Sequence, residues 1–354
     1  MSRFKSQGLN ISASSQQKTG VLLTNLGTPE QPTANALRVY LREFLSDPRV
    51  VEIPRILWLI ILYGIILIVR PKKSAKLYQN IWTEKGSPLL VISQQQQDKI
   101  TTKLKAQYGD NVQVELAMRY GQPSIKNALQ KFQKANIENI IVLPLYPQYS
   151  GPTTGSTFDA IVKEIKQWRW IPSIHFISGY HQNPMYIKSL AQSVKDHISA
   201  NGKPEKLVVS FHGMPQAFRD WGDPYADFCQ QTTELLTQAL TGDLDAENIV
   251  ISYQSRFGKA QWLTPYTEDV LLDLTAQKVT DIAIMCPAFS ADCLETLDEI
   301  KREYCEIFIE AGGKKFSYIA ALNDNDDHID ALVDVITPHI NNNAIHAKPS
   351  SAND

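Results

Sequence analysis

The sequence predicts an α/β protein made of two similar Rossmann-like domains, each with a parallel sheet, and with a cleft between them. Short apolar runs rich in β-branched residues alternate with longer amphipathic stretches, which is the pattern of βα units. These runs fall into two sets of three with matching endings. The length of 354 residues suits about two domains, at roughly 150 residues each.

The predicted strands of the first set lie at 20–26, 112–117 and 140–145, and those of the second at 206–210, 249–253 and 281–286. Several of these runs end directly on a polar or Pro/Gly-rich loop. Ligands of open α/β sheets bind beyond the carboxyl ends of the strands. We therefore expect the chemistry in those loops.

The loops after corresponding strands have the same pattern in the two sets. The second strand of each set runs into Arg-aromatic-Gly, at 119–121 and at 256–258. The third runs into Pro-x-aromatic-Ser, at 147–150 and at 287–290. A duplicated domain predicts this agreement, and chance similarity of short strings is the alternative.

The domain boundaries follow from this duplication. We place the first domain at 19–172 plus about 320–340, the second at 173–319, and flexible tails at 1–18 and 341–354. Residues 320–340 are added to the first domain because we expect the last helix to pack back on it.

Composition excludes several classes of protein. With 35 Lys+Arg against 37 Asp+Glu, the formal net charge of -2 argues against a nucleic-acid-binding domain. A hydrophobic content of 43% argues against a disordered chain or a disulfide scaffold. The four cysteines are widely spaced and residues 1–18 contain no apolar signal segment, so we expect reduced thiols and a cytoplasmic protein.

One segment departs from this average composition. Residues 56–69 are fourteen consecutive uncharged, mostly apolar residues between Arg55 and Arg70. As a helix they would span roughly 21 Å, which is short for a bilayer core of about 30 Å. The segment could be a buried core helix, a transmembrane helix, or an exposed apolar lip that lies in a membrane interface or covers an apolar ligand. We favour the lip, and with it peripheral contact with the inner face of the membrane.

A histidine follows the first strand of the second set. His212 comes directly after the strand at 206–210, on a loop that contains Gly213 and Pro215. A half-exposed histidine held there suits a general base or a metal ligand, although a lone loop histidine can also be structural. The long turn-rich segment 219–225 behind it favours a functional loop.

The other candidate follows the strand at 281–286. Glu295, Glu299 and Glu303 recur at i, i+4 and i+8, which places three carboxylates on one face of a helix. A solvated face is one explanation of this stripe. The other is a row of oxygens that passes cations towards a ligand.

The remaining motifs favour a large, flat, anionic ligand over a nucleotide. Arg70, Lys72 and Lys73 directly follow the apolar segment and suit carboxylates at the rim of an apolar pocket. The hydroxyl-rich loop 151–157 lacks the Gly-Lys-Ser/Thr ending of a phosphate loop. No G-x-G-x-x-G follows the first strand either, so nucleotide binding is disfavoured.

With these motifs in order, the chain resembles the ferrochelatase family over 19–336. The matching strings are LLTNLGTPEQPT, YLREFLSDP, RPKKSAKLYQNIW followed by GSPL, PLYPQYSGPTTGST, SFHGMP, GDPY, QSRFG, WLTPYT and CPAFSADCLETLDEI. Ferrochelatases insert Fe(II) into protoporphyrin IX to form protoheme, the terminal step of heme biosynthesis. The resemblance implies a chelatase-type pair of Rossmann-like domains, with protoporphyrin and Fe(II) as substrates and no tightly bound cofactor.

The resemblance also implies roles for individual residues. His212 corresponds to the family's invariant histidine, which is assigned either as the acceptor of pyrrole protons or as a metal ligand. Glu295 corresponds to its acidic partner across the macrocycle and to a metal ligand, and Asp292, Glu299 and Glu303 to a path for metal or protons. The porphyrin-binding positions correspond to Leu26, Arg70, Lys73, Tyr78, Ser87, Arg119, Tyr120 and Trp262.

The segment 53–70 corresponds to the family's apolar lip, which shields the porphyrin and touches the membrane. The chain departs from the family pattern at Ala288, where Gly is usual, and at Met214 and Ala217 beside the histidine motif. No cysteine occurs after Cys305, so we expect no C-terminal [2Fe-2S] cluster of the kind found in animal members.

The expected reaction combines distortion of the porphyrin, proton removal by His212 and metal delivery along the carboxylates. A coproporphyrin ferrochelatase is the nearest alternative enzyme, and the long apolar lip favours protoporphyrin over it. A porphyrin or heme carrier without turnover is the alternative outside enzymes, and the pairing of His212 with Glu295 argues against it. The sequence does not indicate an oligomeric state.

Overall fold

The structure is a computed structural model that describes residue 4 and residues 18–341. The flexible tails predicted at 1–18 and 341–354 therefore lie almost entirely outside the described residues. Within the described part, the chain forms two four-stranded sheets whose paired strands are all parallel. This confirms the predicted α/β class with two parallel sheets.

The first sheet is formed by β1 (Thr19–Gly27), β2 (Val112–Tyr120), β3 (Asn139–Pro144) and β4 (Ser173–Phe176). Their order across the sheet is β2-β1-β3-β4. The central strand β1 and its neighbour β3 are buried on both faces, as parallel strands covered by helices on each side must be.

The second sheet repeats this arrangement. It is formed by β5 (Lys206–His212), β6 (Ile249–Gln254), β7 (Asp281–Met285) and β8 (Lys315–Ile319), in the order β6-β5-β7-β8. The sequence predicted three strands of each sheet, the two central strands and one edge strand, and missed the other edge strand. β4 and β8 are short edge strands whose side chains are mostly exposed or half-exposed, so they lack the buried apolar residues that mark the other strands.

The α-helices associated with the first sheet are α1 (Ala34–Leu45), α2 (Arg55–Ile61), α3 (Leu67–Ile81), α4 (Pro88–Tyr108), α5 (Ile125–Lys134) and α6 (Ser156–Ile165). Those that follow are α7 (Pro184–Asn201), α8 (Gln216–Asp220), α9 (Tyr225–Ala239), α10 (Thr267–Ala276), α11 (Cys305–Glu310) and α12 (Asp326–Asn341). Three π-helical segments, Leu62–Ile66, Gly151–Gly155 and Glu295–Tyr304, interrupt or precede α-helices, and short 3₁₀ turns lie at Gly109–Asn111 and Ala246–Asn248.

Local sequence explains where several helices begin. Thr33 and Ser124 accept hydrogen bonds from backbone N–H groups in the first turns of α1 and α5. Asn183 accepts from the N–H groups of both Met185 and Tyr186 at 3.0 Å, and Pro184 occupies the first position of α7.

The largest apolar core lies between the two sheets and joins them. It contains inward side chains of β1 and of β5, together with side chains of α7 and α12. Separate cores cover the outer face of each sheet. Helix α12 packs on α4 and β3 of the first half and on α7 of the second. The exact domain boundaries stay a prediction.

Candidate active site

The candidate site lies where the carboxyl ends of strands from both sheets meet. β2 ends on Arg119 and Tyr120, and β5 ends on His212. The π-helical segment Glu295–Tyr304, called the acidic helix below, follows the loop after β7. The structure thus brings residues predicted from separate motifs into one region.

His212 is held by the backbone around it. Its Nδ1 lies 2.7 Å from the carbonyl oxygen of Gly213, which can only accept, so in the neutral imidazole Nδ1 carries the proton and Nε2 is the basic nitrogen. The N–H of Gly213 donates to the carbonyl of Gln254 at 2.7 Å. A Cβ on Gly213 would lie 2.6 Å from that carbonyl oxygen and 3.1 Å from the Trp262 ring. Only glycine fits this turn, whose carbonyl fixes the imidazole through Nδ1.

Gln254 connects His212 to the acidic helix. It is the register partner of His212 in the sheet, and its side-chain amide donates to the carbonyl of Glu295 at 3.2 Å and to Glu299 at 3.4 Å. Glu299 also accepts from the N–H of Ser255 at 2.8 Å and from the hydroxyl of Tyr304 at 3.1 Å, and the Ser255 hydroxyl is a further donor.

Burial raises the pKa of Glu299 above its usual value, although the donated hydrogen bond of Ser255 and the charge of His212 oppose the shift. The negative charge of Glu295 adds to the rise. Glu299 therefore lies within electrostatic reach of both His212 and Glu295.

Glu295 also faces the first half of the molecule. Burial raises the pKa of Tyr40, Tyr78 and Tyr146, and the negative charge of Glu295 raises each further. Burial lowers the pKa of Arg70, and Glu295 opposes that change. The Tyr146 hydroxyl is buried without a hydrogen-bond partner. Glu295 therefore lies close enough to these residues of the first half to act on them electrostatically.

The other two acidic candidates differ from these. Asp292 is buried, and its two oxygens accept from Thr296 at 2.9 Å, Tyr318 at 2.6 Å and the side-chain amide of Asn323 at 2.7 Å. Glu303 is exposed at the outer part of the acidic helix. In the described ranges, no three His, Cys, Asp or Glu side chains are grouped closely enough to hold a metal ion.

Arg119 and Tyr120 form one wall with a residue that the sequence did not single out. Asp47 is buried and accepts from Arg119, from the hydroxyl of Tyr120 at 2.9 Å and from that of Ser156 at 2.5 Å. The Arg119 guanidinium lies 4.4 Å from the centre of the Tyr120 ring. A single Asp before a Pro indicates only a turn, so its local sequence carries no signal of this role.

The remaining porphyrin candidates surround the same cleft at different depths. Tyr78 and Ser87 are buried, and Ser87 accepts from the Thr28 hydroxyl at 2.8 Å. Leu26 packs half-buried against the core below the lip. Trp262 is half-buried and its ring N–H has no partner. Lys73 is exposed.

Arg70 spans the cleft. It packs over the ring of Phe257, with 4.9 Å between the guanidinium carbon and the ring centre. Arg70 belongs to α3 and Phe257 to the loop after β6, so this contact joins the two halves at the site. Sequence reasoning missed it because the two residues are far apart in the chain.

The lip, residues 53–70, is formed by α2, the π-helical segment Leu62–Ile66 and the start of α3. Trp58, Leu62 and Leu67 are buried against α1, and the Trp58 ring N–H donates to the carbonyl of Leu45 at 2.6 Å. The apolar side chains exposed by more than half are Ile56, Leu57, Ile60, Tyr63, Ile65, Ile68 and Val69. A buried core helix is therefore the wrong interpretation of the segment. A search of the described residues finds no helix with the length and apolar character that crossing a bilayer requires.

Comparison with known proteins gives close relatives over nearly the whole chain. The family model described as ferrochelatase matches residues 18–340. Ferrochelatase 2 of Shewanella oneidensis is 57% identical over 323 residues, which cover 91% of this chain and 98% of the relative. The ferrochelatase of Shewanella denitrificans is 55% identical over 333 residues, which cover 92% and 98%.

Solved structures share the fold at much lower identity. SirB from Bacillus subtilis, solved with Fe³⁺, has a TM-score of 0.53 at 13% identity, covering 93% of this chain and 98% of that chain. The sirohydrochlorin chelatase SirB from Bacillus subtilis subspecies spizizenii, solved with cobalt, has a TM-score of 0.51 at 10% identity over the same shares. These likenesses concern the fold alone, and they confirm the chelatase-type arrangement of two sheets.

Proposed function

The chain belongs to the ferrochelatase family and is a lyase that inserts metal into porphyrin, with protoporphyrin and Fe(II) as substrates, and from this premise we propose which of its residues do the work. His212 takes the pyrrole protons, and Glu295 approaches the macrocycle from the side that delivers the metal. The observation that carries this assignment is the contact of His212 Nδ1 with the Gly213 carbonyl, which leaves Nε2 as the basic nitrogen, next to Gln254, whose amide also binds the Glu295 carbonyl. Membership of a family of enzymes argues against the alternative of a porphyrin or heme carrier without turnover.

Metal insertion must remove two N–H protons and bring a hydrated cation to four nitrogens that lie in one plane. A bent macrocycle exposes its nitrogen lone pairs, and binding energy from the rest of the ring can support that distortion. In our proposal the lip and the wall of Arg119, Tyr120 and Trp262 grip the ring. Leu26 and Tyr78 contact it from the first half, and Arg70, Lys73 and Ser87 bind its propionates.

We assign proton removal to His212 because the backbone carbonyl of Gly213 determines which of its ring nitrogens is basic. With Nδ1–H donated to the Gly213 carbonyl, Nε2 is the atom that accepts a proton. The resulting imidazolium is stabilised by the nearby carboxylate of Glu299, whose pKa responds to the charge of His212. Transient ligation of iron by the same nitrogen remains part of the proposal.

Metal and protons travel along the acidic helix in this proposal. Glu303 is exposed, whereas Glu299 and Glu295 are half-buried and Glu295 acts on buried tyrosines of the first half, which gives a series of oxygens from solvent inward. Carboxylates are ligands that replace water on hard or borderline cations. Asp292 is assigned to the same path, and its three side-chain partners suggest that it contributes by holding the loop in place.

We also infer that the protein acts at the inner face of a membrane, as a cytoplasmic, peripherally bound enzyme. The exposed isoleucines of the lip are flanked by the exposed side chains of Arg55, Lys72 and Lys73. An apolar surface next to cationic side chains suits the boundary between acyl chains and anionic headgroups.

Zinc insertion into protoporphyrin, followed by fluorescence, tests the central assignment. We expect His212→Ala to bind porphyrin and to lose metal insertion by about 10²–10⁴-fold, the usual contribution of a general base. His197→Ala, in α7 and away from the cleft, is the matched control. Near-normal turnover in His212→Ala would contradict the proposal. The same assay with coproporphyrin tests the choice of substrate, since we expect the lower kcat/KM for coproporphyrin.

A further inference from the structure

Asp47 is the second-last residue of the string YLREFLSDP, and its carboxylate accepts several hydrogen bonds beside the pocket wall. Its Oδ2 accepts from Arg119, from the Tyr120 hydroxyl and from the Ser156 hydroxyl, and its Oδ1 accepts from the N–H of Arg49 at 2.8 Å. The donors come from β2, from the start of α6 and from the loop after α1. One carboxylate therefore connects three separate elements.

The carboxylate leaves Arg119 little freedom. Ser156, itself bound to Asp47, accepts from the Arg119 Nε through its carbonyl at 3.0 Å and its hydroxyl at 2.6 Å. The guanidinium also covers the Tyr120 ring. Ser156 thus holds the Arg119 guanidinium along its Nε edge, and the Tyr120 ring covers one of its faces. These contacts fix the directions of its other N–H groups.

Asp47 also balances the charge of Arg119. Burial alone would raise the pKa of the Asp47 carboxyl, but the hydrogen bonds of Ser156 and the Arg49 N–H, with the charge of Arg119, hold it below its usual value. The pair therefore stays ionised and nearly neutral as a unit. A guanidinium without this partner would repel a divalent cation in a cleft of low dielectric.

The same residue begins the segment that leads to the lip. The carbonyl of Asp47 accepts from the N–H groups of Val50 and Val51, each at 3.1 Å. Two residues before it, the Leu45 carbonyl accepts from Trp58, one of the buried anchors of the lip. The base of the lip and the pocket wall therefore share this short stretch of backbone.

We propose that Asp47 is a positioning residue of the porphyrin site, which fixes Arg119 and Tyr120 as one rigid wall and ties that wall to the base of the lip. The inference rests on the proposed function, because it takes Arg119 and Tyr120 as porphyrin-binding residues. Asp47 does not touch the substrate and acts through these two side chains.

Asp47→Asn tests the proposal, since it keeps the size of the side chain and removes the charge. We expect the KM for protoporphyrin to rise about tenfold, because a hydrogen bond to a charged group is lost, with a smaller change in kcat. The visible and fluorescence spectra of bound protoporphyrin should shift as the wall loosens. Asp159→Asn, which breaks the exposed pair of Asp159 with Arg49 and spares Asp47, is the matched control and should leave both readouts unchanged.

A double-mutant cycle separates positioning from a general loss of structure. If Asp47 acts through Arg119, then Asp47→Asn adds little to the KM of an Arg119→Leu variant. If the double variant instead shows a KM raised by the product of the two single effects, the proposal is overturned. An unchanged KM in folded Asp47→Asn would overturn it as well. If Arg119→Leu itself leaves the KM unchanged, the assignment of Arg119 in the proposed function fails instead.

Ser156→Ala provides a second test that does not depend on the folding of Asp47→Asn. It removes one donor to Asp47 and one acceptor of Arg119 while it keeps the charge pair. We expect a rise of about threefold in the KM for protoporphyrin, which is smaller than that of Asp47→Asn because the charge remains. An unchanged KM in this variant counts against the inference.

Discussion

The lip and the acidic helix depart from the usual distribution of side chains in opposite directions. The lip exposes a series of isoleucines, whereas the acidic helix buries Asp298 and half-buries Glu299, whose pKa is raised by that burial. Each departure has a free-energy cost in the protein alone, since apolar surface prefers burial and a carboxylate prefers water. Both regions contain π-helical turns, which are rare and often occur at functional sites. The comparison suggests that each region is shaped by what it contacts during catalysis.

The largest loss of activity should come from a substitution in the acidic helix. We expect Glu295→Gln to lower the rate of metal insertion by about 10²–10⁴-fold, because the amide can neither carry a proton nor hold a cation as a carboxylate does. Porphyrin binding should change much less. Glu310→Gln, exposed at the end of α11, is the matched control. Equal rates for the two variants in the zinc assay would remove Glu295 from the proposed chemistry.

Substitutions in the lip should weaken binding of the protein to membranes. Ile56 and Ile60 are 79% and 66% exposed and lie one turn apart in α2. Replacing each by Ser should weaken sedimentation with anionic lipid vesicles by about tenfold per residue, since a buried Ile contributes at least about 1.5 kcal/mol. Val39→Ser, at an exposed site of α1, controls for general surface hydrophobicity. Unchanged vesicle binding in the double variant would disprove the membrane assignment of the lip.

The smallest effect concerns stability and pH. The pKa of Glu299 is raised in the folded protein, so the native state binds more protons than the unfolded state above the ordinary pKa of about 4.3. Stability should therefore fall as the pH rises through this window. We expect Glu299→Gln to raise the melting temperature at pH 7 and to leave it nearly unchanged at pH 4. Equal changes at both pH values would show that the carboxylate is not strained by burial.

The parts of the fold that follow from local patterns could be predicted from the sequence. The runs around β1 and β3 are buried on both faces, and so their apolar character is continuous and easy to read. β8 could not be predicted in the same way, because an edge strand with half-exposed side chains looks like a loop. The row of carboxylates at Glu295, Glu299 and Glu303 could be predicted from the sequence. A spacing of four residues, however, does not distinguish an α-helix from the π-helix that forms.

The candidate site was predictable residue by residue but not as an arrangement. The family strings picked out His212, Arg119 and Glu295, whereas the contacts that organise them come from distant parts of the chain. Asp47 meets Arg119 across 72 residues of sequence, and Arg70 meets Phe257 across the cleft. The first contact depends on how α1 packs against the first sheet and the second on how the two halves meet, and no local pattern in a single sequence encodes either kind of packing.

The position of α12 has a consequence for synthesis on the ribosome. Residues 326–341 complete the covering of β3 and α4, yet they emerge long after the first sheet has been made. At about 5–20 residues per second, the delay after β3 is roughly 10–40 s. During that time the nascent first half lacks the helix that covers part of β3 and α4 in the folded protein. Folding of this half is therefore completed late, even though it is translated first.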